Sequence, residues 1–281
     1  MVSTSSIIAM AATLCVTLVL PLVIYIVYGV RNRGAGVWSA WGIGALGFVV
    51  LQLVIRLPIL NLLSIQPWFA SFAANRYVLY IFLLALTAAL FEVVGRCLAA
   101  KLISRKGLTL KKGIAAGLGH GGIESIMIVG LTYINNLLYS LMINTGAFDV
   151  MVEAAAATGA DVSALTAAQS ALVSTSPLLF CLAGYERILT MVVHLALSLL
   201  VCYGFYKNRP WRSIGIAFFF HWALDFFVPL LNSLATPAMG NVLGTGTAYI
   251  LVYGLMSLLA VLAVVMIRKI STNWKKEMQE G

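Results

Sequence analysis

The stretch GHGGIES at residues 119–125 places an imidazole and a carboxylate four residues apart inside a long apolar run. In a helix, the side chains of His120 and Glu124 then lie on the same face, one above the other. An ionisable side chain at the centre of a bilayer costs about 3 kcal/mol, so such residues are rare there and usually functional. The stretch therefore indicates a polar site within a membrane-spanning helix, and it predicts that neighbouring helices supply partners for both side chains.

The composition is typical of an integral membrane protein. The chain has 281 residues, of which 62% are hydrophobic and 10% are charged, and its mean hydropathy is +1.00. Soluble domains are about half apolar and about one-quarter charged. The four cysteines lie in or beside apolar runs without a C-x-x-C pair. We therefore interpret them as small buried hydrophobic residues rather than disulfides or metal ligands.

Seven apolar runs are long enough to cross a bilayer, for which a helix needs about 20 residues. They cover about residues 5–30, 37–63, 76–100, 113–142, 177–206, 213–234 and 246–267. The acidic, Ala-rich connector at 145–176 is predicted to lie outside the cell as two short helices. We therefore predict an all-α, polytopic membrane helix bundle, forming a single domain over residues 1–281 in the cell membrane, surrounded by lipid.

The basic residues predict the orientation of the chain. Fourteen of the 18 lysines and arginines lie in the connectors after spans one, three and five and in the C-terminal tail. The positive-inside rule then places the N-terminus outside and the C-terminus in the cytoplasm. Because topology accounts for the net charge of +9, no nucleic-acid partner is expected.

Ionisable residues are concentrated inside the spans, where a random distribution would place few of them. All three histidines and four carboxylates lie there: His120, His194, His221, Glu92, Glu124, Glu186 and Asp225. Three pairs have i,i+4 spacing and so share a helix face: Glu92 with Arg96, His120 with Glu124, and His221 with Asp225. Glu186 is adjacent to Arg187 near the outer end of span five, where a structural or interfacial role is favoured.

Depth along the helices predicts that these groups meet. Counted at about 1.5 Å per residue, Glu92, His120 and His221 lie roughly 10–12 Å from the cytoplasmic boundary. Glu124, His194 and Asp225 lie roughly 16–18 Å from it. Small residues allow helices to approach closely in lipid, so the glycines around His120 favour tight packing of span four. Four helices are therefore expected to form one site in the inner half of the bilayer.

The residue types predict activation of water. A glutamate in a low-dielectric pocket can act as general base and then as general acid, and histidines can polarise a carbonyl and stabilise an oxyanion. Alternatively, His120, His194 and His221 with Glu124 or Asp225 hold a divalent metal such as zinc, leaving Glu92 as the base. The chain has no H-E-x-x-H motif, so the usual zinc-protease signature is missing.

These motifs carry a family resemblance. Their order and spacing resemble those of the YhfC family of intramembrane proteases. The motifs that carry the resemblance are, in chain order, Glu92-x-x-x-Arg96, Gly119-His120-Gly-Gly-Ile-Glu124, the intramembrane His194 and His221-x-x-x-Asp225. That family is related to the CAAX-prenyl-protease and bacteriocin-processing superfamily. The chain departs from the wider superfamily in three places: Phe91 precedes Glu92 where paired glutamates are usual, Ala116 replaces an aromatic residue, and Asp225 replaces an asparagine. With a single glutamate in the first motif, Glu92 becomes the expected base.

The resemblance implies peptide hydrolysis within the membrane, on a membrane-associated peptide or protein, by a glutamate-based or metal-assisted mechanism. In this hypothesis Glu92 activates water, while His120 and His221 orient the water, stabilise the oxyanion or bind a metal. Arg96 sets the charge and orientation of Glu92. The side chains that complete the site are Glu124, His194 and Asp225.

Two other functions fit the same residues. Intramembrane carboxylates and histidines also form proton and ion relays in transporters, although the inverted repeats typical of transporters are not evident here. The resemblance also includes a non-catalytic scaffold among the members of the wider superfamily. Ion flux that needs Glu124 or Asp225 would favour the first alternative, and partner co-purification unaffected by Glu92→Gln would favour the second.

Overall fold

The computed structural model describes residues 1–280, with every side chain except that of Ala238. These residues form helices and turns, with no β-strand among them. Seven of the helices are long and apolar enough to span a membrane: Thr4–Arg31, Val37–Ser64, Tyr77–Ser104, Leu110–Thr145, Pro177–Tyr206, Pro210–Ser233 and Thr245–Glu280. We refer to them in this order as the first to the seventh spanning helix. The prediction of an all-α, multi-pass membrane protein is confirmed, while the orientation of its termini stays a prediction.

Shorter helices fill the connectors. Pro67–Asn75 precedes the third spanning helix, and Pro237–Met239 forms a 3₁₀ turn before the seventh. The connector after the fourth spanning helix contains Ala147–Ala157 and Ser163–Ser174. The break between these two helices includes Gly159, whose φ of +77° lies in the left-handed region that glycine adopts without strain. The two short helices predicted for this connector are therefore present.

The seventh spanning helix extends well past its apolar run, to Glu280. Its added turns are rich in Lys, Glu, Met and Gln, which are good helix formers. Trp274 is fully buried there. Its ring lies 5.3 Å from that of Tyr203 and 4.9 Å from that of Tyr206, between ring centroids. Aromatic packing onto the fifth spanning helix thus stabilises this polar extension.

The helices group into two compact units by their internal contacts. The first comprises Met1–Val23 and Ser125–Ile188. Its core includes the fully buried side chains of Met10 and Phe148. In this unit the Thr13 hydroxyl donates to the Phe180 carbonyl over 2.7 Å. That the whole chain is a single domain stays a prediction.

The second unit comprises Ile24–Glu124 and the described residues from Leu189 onward, and it contains all three of the i,i+4 pairs described above. Its helices approach closely at glycines. A β-carbon on Gly119 would clash with the carbonyl oxygen of Trp41, and one on Gly44 would clash with the carbonyl of Ala116. The glycines of the fourth spanning helix therefore bring it against the second, as the sequence predicts.

Gly119→Ala is expected to destabilise the protein by about 1–3 kcal/mol, the usual cost of overpacking a close contact. The contact partner is backbone, so it cannot rotate away as a flexible side chain would. Gly42→Ala on the facing helix is the matched control, because a β-carbon at Gly42 meets nothing within 4 Å. Thermal unfolding in detergent should show a lower Tm for Gly119→Ala and an unchanged or slightly higher Tm for Gly42→Ala. Equal Tm values would contradict this account of the packing.

Candidate active site

The third spanning helix places a carboxylate and a guanidinium at the centre of the second unit. Glu92 and Arg96 lie one helical turn apart on its buried face, and neither side chain is more than 5% exposed. Arg96 donates from Nη2 to Oε2 of Glu92 over 3.0 Å. The same face carries mainly small residues: Ala85, Ala88, Ala89, Gly95 and Ala99. Small side chains allow the neighbouring helices to bring their polar groups within reach of Glu92.

The fourth spanning helix contributes His120, which is 2% exposed. Its Nε2 lies 3.1 Å from Oε2 of Glu92. Glycines on both sides of His120 face the fifth spanning helix: a β-carbon on Gly117 would lie 2.8 Å from Leu195, and one on Gly121 would lie 2.9 Å from Cβ of His194. The glycines thus let the two histidine-bearing helices come together.

His194 on the fifth spanning helix connects the other groups. Its Nδ1 lies 2.7 Å from Nη2 of Arg96 and 3.5 Å from Oε2 of Glu92. Its Nε2 lies 3.0 Å from Oε2 of Glu124. The ring stacks on that of His120 with a centroid separation of 5.6 Å. His194, which has no i,i+4 partner in the sequence, therefore contacts the motifs of both the third and the fourth helix.

The sixth spanning helix supplies the third histidine. Nε2 of His221 lies 3.4 Å from Oε1 of Glu92 and 3.0 Å from Oδ2 of Asp225. Among the described residues, neither ring nitrogen of His221 makes a hydrogen bond of good geometry. A buried polar group without a hydrogen bond is unfavourable unless a ligand satisfies it. His221 is therefore available to bind a substrate or another group at the site.

Gln52, which the sequence analysis did not identify, is a direct partner of Glu92. Its Nε2 donates to Oε1 of Glu92 over 2.8 Å, and the residue is 5% exposed. Gln52 lies in a π-helical turn, Val49–Arg56, in which the Leu57 N–H donates to the Gln52 carbonyl five residues back. Pro58 follows Leu57 directly, and its ring disfavours a regular α-helix in the preceding turn. Such π-turns are frequent at functional sites because they redirect a side chain.

Arg56 fixes the orientation of the Gln52 amide. Arg56 donates from Nη1 to Oε1 of Gln52 over 3.2 Å, so the amide nitrogen points to Glu92. Its other nitrogens bond to the Leu84 carbonyl at 2.7 Å and the Thr87 hydroxyl at 3.2 Å. Gln52 and Arg56 have the same i,i+4 spacing as the three pairs described above. That spacing was the available signal, but an uncharged amide did not stand out in an apolar run.

The three carboxylates of the site differ in the exposed fraction of their side chains. The side chain of Glu92 is 5% exposed, that of Glu124 is 14% exposed and that of Asp225 is 32% exposed. Glu92 is thus the innermost of the three. These three carboxylates share the site with two guanidinium groups, those of Arg96 and Arg56. Glu186 lies elsewhere, in the first unit, paired with Arg187.

Four of these residues fit a divalent metal ion. One ligand atom from each of Glu92, His120, Glu124 and His194 can be chosen so that all lie within 4.8 Å of one another. Imidazole nitrogens and carboxylate oxygens are the ligands of catalytic zinc sites, where His₂Glu is a common set. His221 is outside this group, although the sequence analysis included it among the alternatives for metal binding.

The fold and site define a multi-pass membrane protein with a buried cluster of histidines and carboxylates. The chain belongs to the family described as YhfC intramembrane metalloprotease, whose model matches residues 16–237, a range that includes every site residue named above. The uncharacterized membrane protein YhfC of Bacillus subtilis (strain 168) is 31% identical over 211 residues, covering 75% of this chain and 79% of that protein. No solved structure matches the chain. The family resemblance is confirmed, while kinship with the CAAX-prenyl-protease superfamily stays a prediction.

Proposed function

We propose that this protein is an intramembrane metalloprotease that hydrolyses a peptide bond of a membrane-associated peptide or protein. One observation carries the proposal. The buried carboxylate of Glu92 lies within 3.5 Å of nitrogens from three histidines on three different helices: His120, His194 and His221. A base held beside several imidazoles in a water-poor pocket is the arrangement that hydrolysis of an unreactive amide requires.

His120, His194 and Glu124 are the residues that would hold the metal. They form the His₂Glu donor set, which leaves Glu92 beside them as the general base. When bound, the metal would supply a Lewis acid that polarises the scissile carbonyl. The name of the family supports a metal, whose identity we leave to metal analysis of the purified protein.

Glu92 is the proposed proton carrier. Among the described residues, its Oε2 contacts both Arg96 and His120, whereas its Oε1 receives a hydrogen bond only from Gln52. Oε1 can therefore accept a proton from a water molecule as the water oxygen attacks the carbonyl carbon of the substrate. Glu92 then gives this proton to the amide nitrogen as the C–N bond breaks, which releases an amine and leaves the carboxylate ready for another cycle.

His221 and Asp225 are proposed to stabilise the developing oxyanion. Asp225 lies 3.0 Å from Nε2 of His221 and holds the orientation of this ring. A donor already placed where negative charge develops needs little rearrangement during the reaction, and a single such donor contributes about 100- to 1,000-fold to kcat. Asp225 is also the most exposed carboxylate of the site, so we propose that substrate and water enter from its side.

The site is proposed to lie in the cytoplasmic half of the bilayer. The support is the distribution of basic residues, which predicts the orientation, and the similar distances of Glu92, His120 and His221 from the predicted inner boundary. A substrate that presents an extended segment within the membrane would then reach the site from the inner leaflet.

The function is tested in cells that produce the wild-type protein or Glu92→Gln. Chemical labelling of new N-termini in the membrane fraction should detect cleavage products that are present only with the wild type. A synthetic peptide spanning the cleavage point, added to purified protein in vesicles, should then be cut at the same bond. Identical N-termini in both cell populations would contradict the proposal.

Gln52→Leu is expected to lower kcat/KM by about 10- to 100-fold, the usual effect of losing a residue that orients an active-site group. Leucine has a similar size but cannot donate to Oε1 of Glu92, so the carboxylate loses one of the hydrogen bonds that orient it. The bound metal should be retained, because Gln52 does not contact His120, His194 or Glu124 in the described contacts. Gln66→Leu, at an exposed residue of the next connector, is the control and should leave peptide cleavage unchanged.

A further inference from the structure

Arg96 contacts two of the four residues that fit a metal ion, Glu92 and His194. Its Nη2 is 2.7 Å from Nδ1 of His194 and 3.0 Å from Oε2 of Glu92. A guanidinium stays protonated in proteins and can only donate hydrogen bonds. The contact with His194 therefore requires that Nδ1 be an acceptor, with its lone pair directed at Arg96.

This contact determines the tautomer of His194. A neutral imidazole has one N–H, so an accepting Nδ1 puts the proton on Nε2. Nε2, which then carries the proton, lies 3.0 Å from Oε2 of Glu124. The contact with Arg96 therefore fixes which nitrogen of His194 carries the proton, and that nitrogen is the one nearest to Glu124.

Neither nitrogen of His194 can take a metal while Arg96 keeps this position. A metal ligand needs a nitrogen lone pair. On Nδ1 that lone pair is used by the guanidinium. On Nε2 it becomes available only if the proton moves to Nδ1, which would then face an N–H of Arg96 at 2.7 Å. Two donors at that distance repel each other.

We infer that Arg96 is an internal cation that blocks His194 in the metal-free protein, and that it must release this imidazole before His194 can serve as a metal ligand. The inference rests on the metal site of the proposed function and adds a regulatory step to it. Arg96 is a positioning residue in this scheme. Its guanidinium and a metal ion compete for the imidazole of His194 and for the carboxylate of Glu92.

The other contacts of Arg96 make this release feasible. Among the described residues, Nε and Nη1 of Arg96 are buried without a hydrogen-bond partner, so only Nη2 is engaged. Arg56 is the opposite case, because all three of its nitrogens are bonded, to Gln52, Leu84 and Thr87. Arg56 therefore has a fixed structural position, whereas Arg96 has few contacts to lose when it moves.

The test is the zinc affinity of the purified, metal-stripped protein, measured by competition with a fluorescent chelator. Arg96→Gln should bind zinc about 10- to 100-fold more tightly than the wild type, the range over which groups around a metal site change affinity. Arg76→Gln, at an exposed arginine just before the third spanning helix, is the control and should leave the affinity unchanged. If Arg96 only orients Glu92, its removal should weaken zinc binding or leave it unaffected, and either result overturns the inference.

Two further variants keep the test decisive if Arg96→Gln folds poorly. Arg96→Met is also uncharged and of similar length, so it should give the same gain in affinity. The double variant Arg96→Met/His194→Ala should lose that gain, because the gain depends on a freed His194. Equal gains with and without His194 would overturn the inference while leaving the proposed function intact. The absence of zinc binding in every variant would overturn the inference and the metal site together.

Discussion

Glu92→Gln should lower kcat/KM for peptide cleavage by about 100- to 10,000-fold, the range that a general base contributes. Glutamine has the shape of glutamate and can still accept hydrogen bonds through its amide oxygen, but it does not take a proton from water. Gln52, Arg96 and the three histidines all contact the carboxylate of Glu92.

The measurement combines activity with metal content. We expect the variant to keep its metal and its thermal stability, because His120, His194 and Glu124 remain. Glu186→Gln is the control, since that glutamate lies in the first unit beside Arg187; it should retain full cleavage. Normal activity of Glu92→Gln would eliminate Glu92 as the base. Loss of the metal together with activity would instead identify Glu92 as a ligand.

His120→Ala should abolish metal binding, whereas His221→Ala should retain the metal and still lose activity. His120 belongs to the group whose ligand atoms lie within 4.8 Å of one another, and His221 does not. Loss of a ligand should weaken the affinity by more than about 100-fold, the upper end of what neighbouring groups cause. Loss of the oxyanion donor should lower kcat by about 100- to 1,000-fold.

The two variants are matched, because each replaces a buried histidine that is 2% exposed and contacts Glu92. Metal analysis of the purified proteins, together with cleavage of the same peptide, separates the two roles. Metal loss in His221→Ala would place that residue among the ligands, as the sequence analysis allowed. Stoichiometric metal in His120→Ala would exclude His120 from the metal site.

The sequence alone determined the membrane fold. Apolar runs of sufficient length can satisfy their backbone groups in lipid only as helices, so seven helices followed from composition and spacing. The i,i+4 pairs on the third, fourth and sixth helices were equally visible, because helix geometry fixes which side chains share a face. The polar turns that extend the seventh helix beyond its apolar run are held by the packing of Trp274 against Tyr203 and Tyr206, which hydropathy does not show.

Only the tertiary structure decided which of these groups touch. The position of His194 between Arg96 and Glu124 depends on how closely the helices approach, which the glycines at 117 and 121 permit. Gln52 was missed because an amide costs little in an apolar run until its partner is known. Sequence spacing describes one helix at a time, whereas the site is formed by five helices, and the distances between them are set by packing.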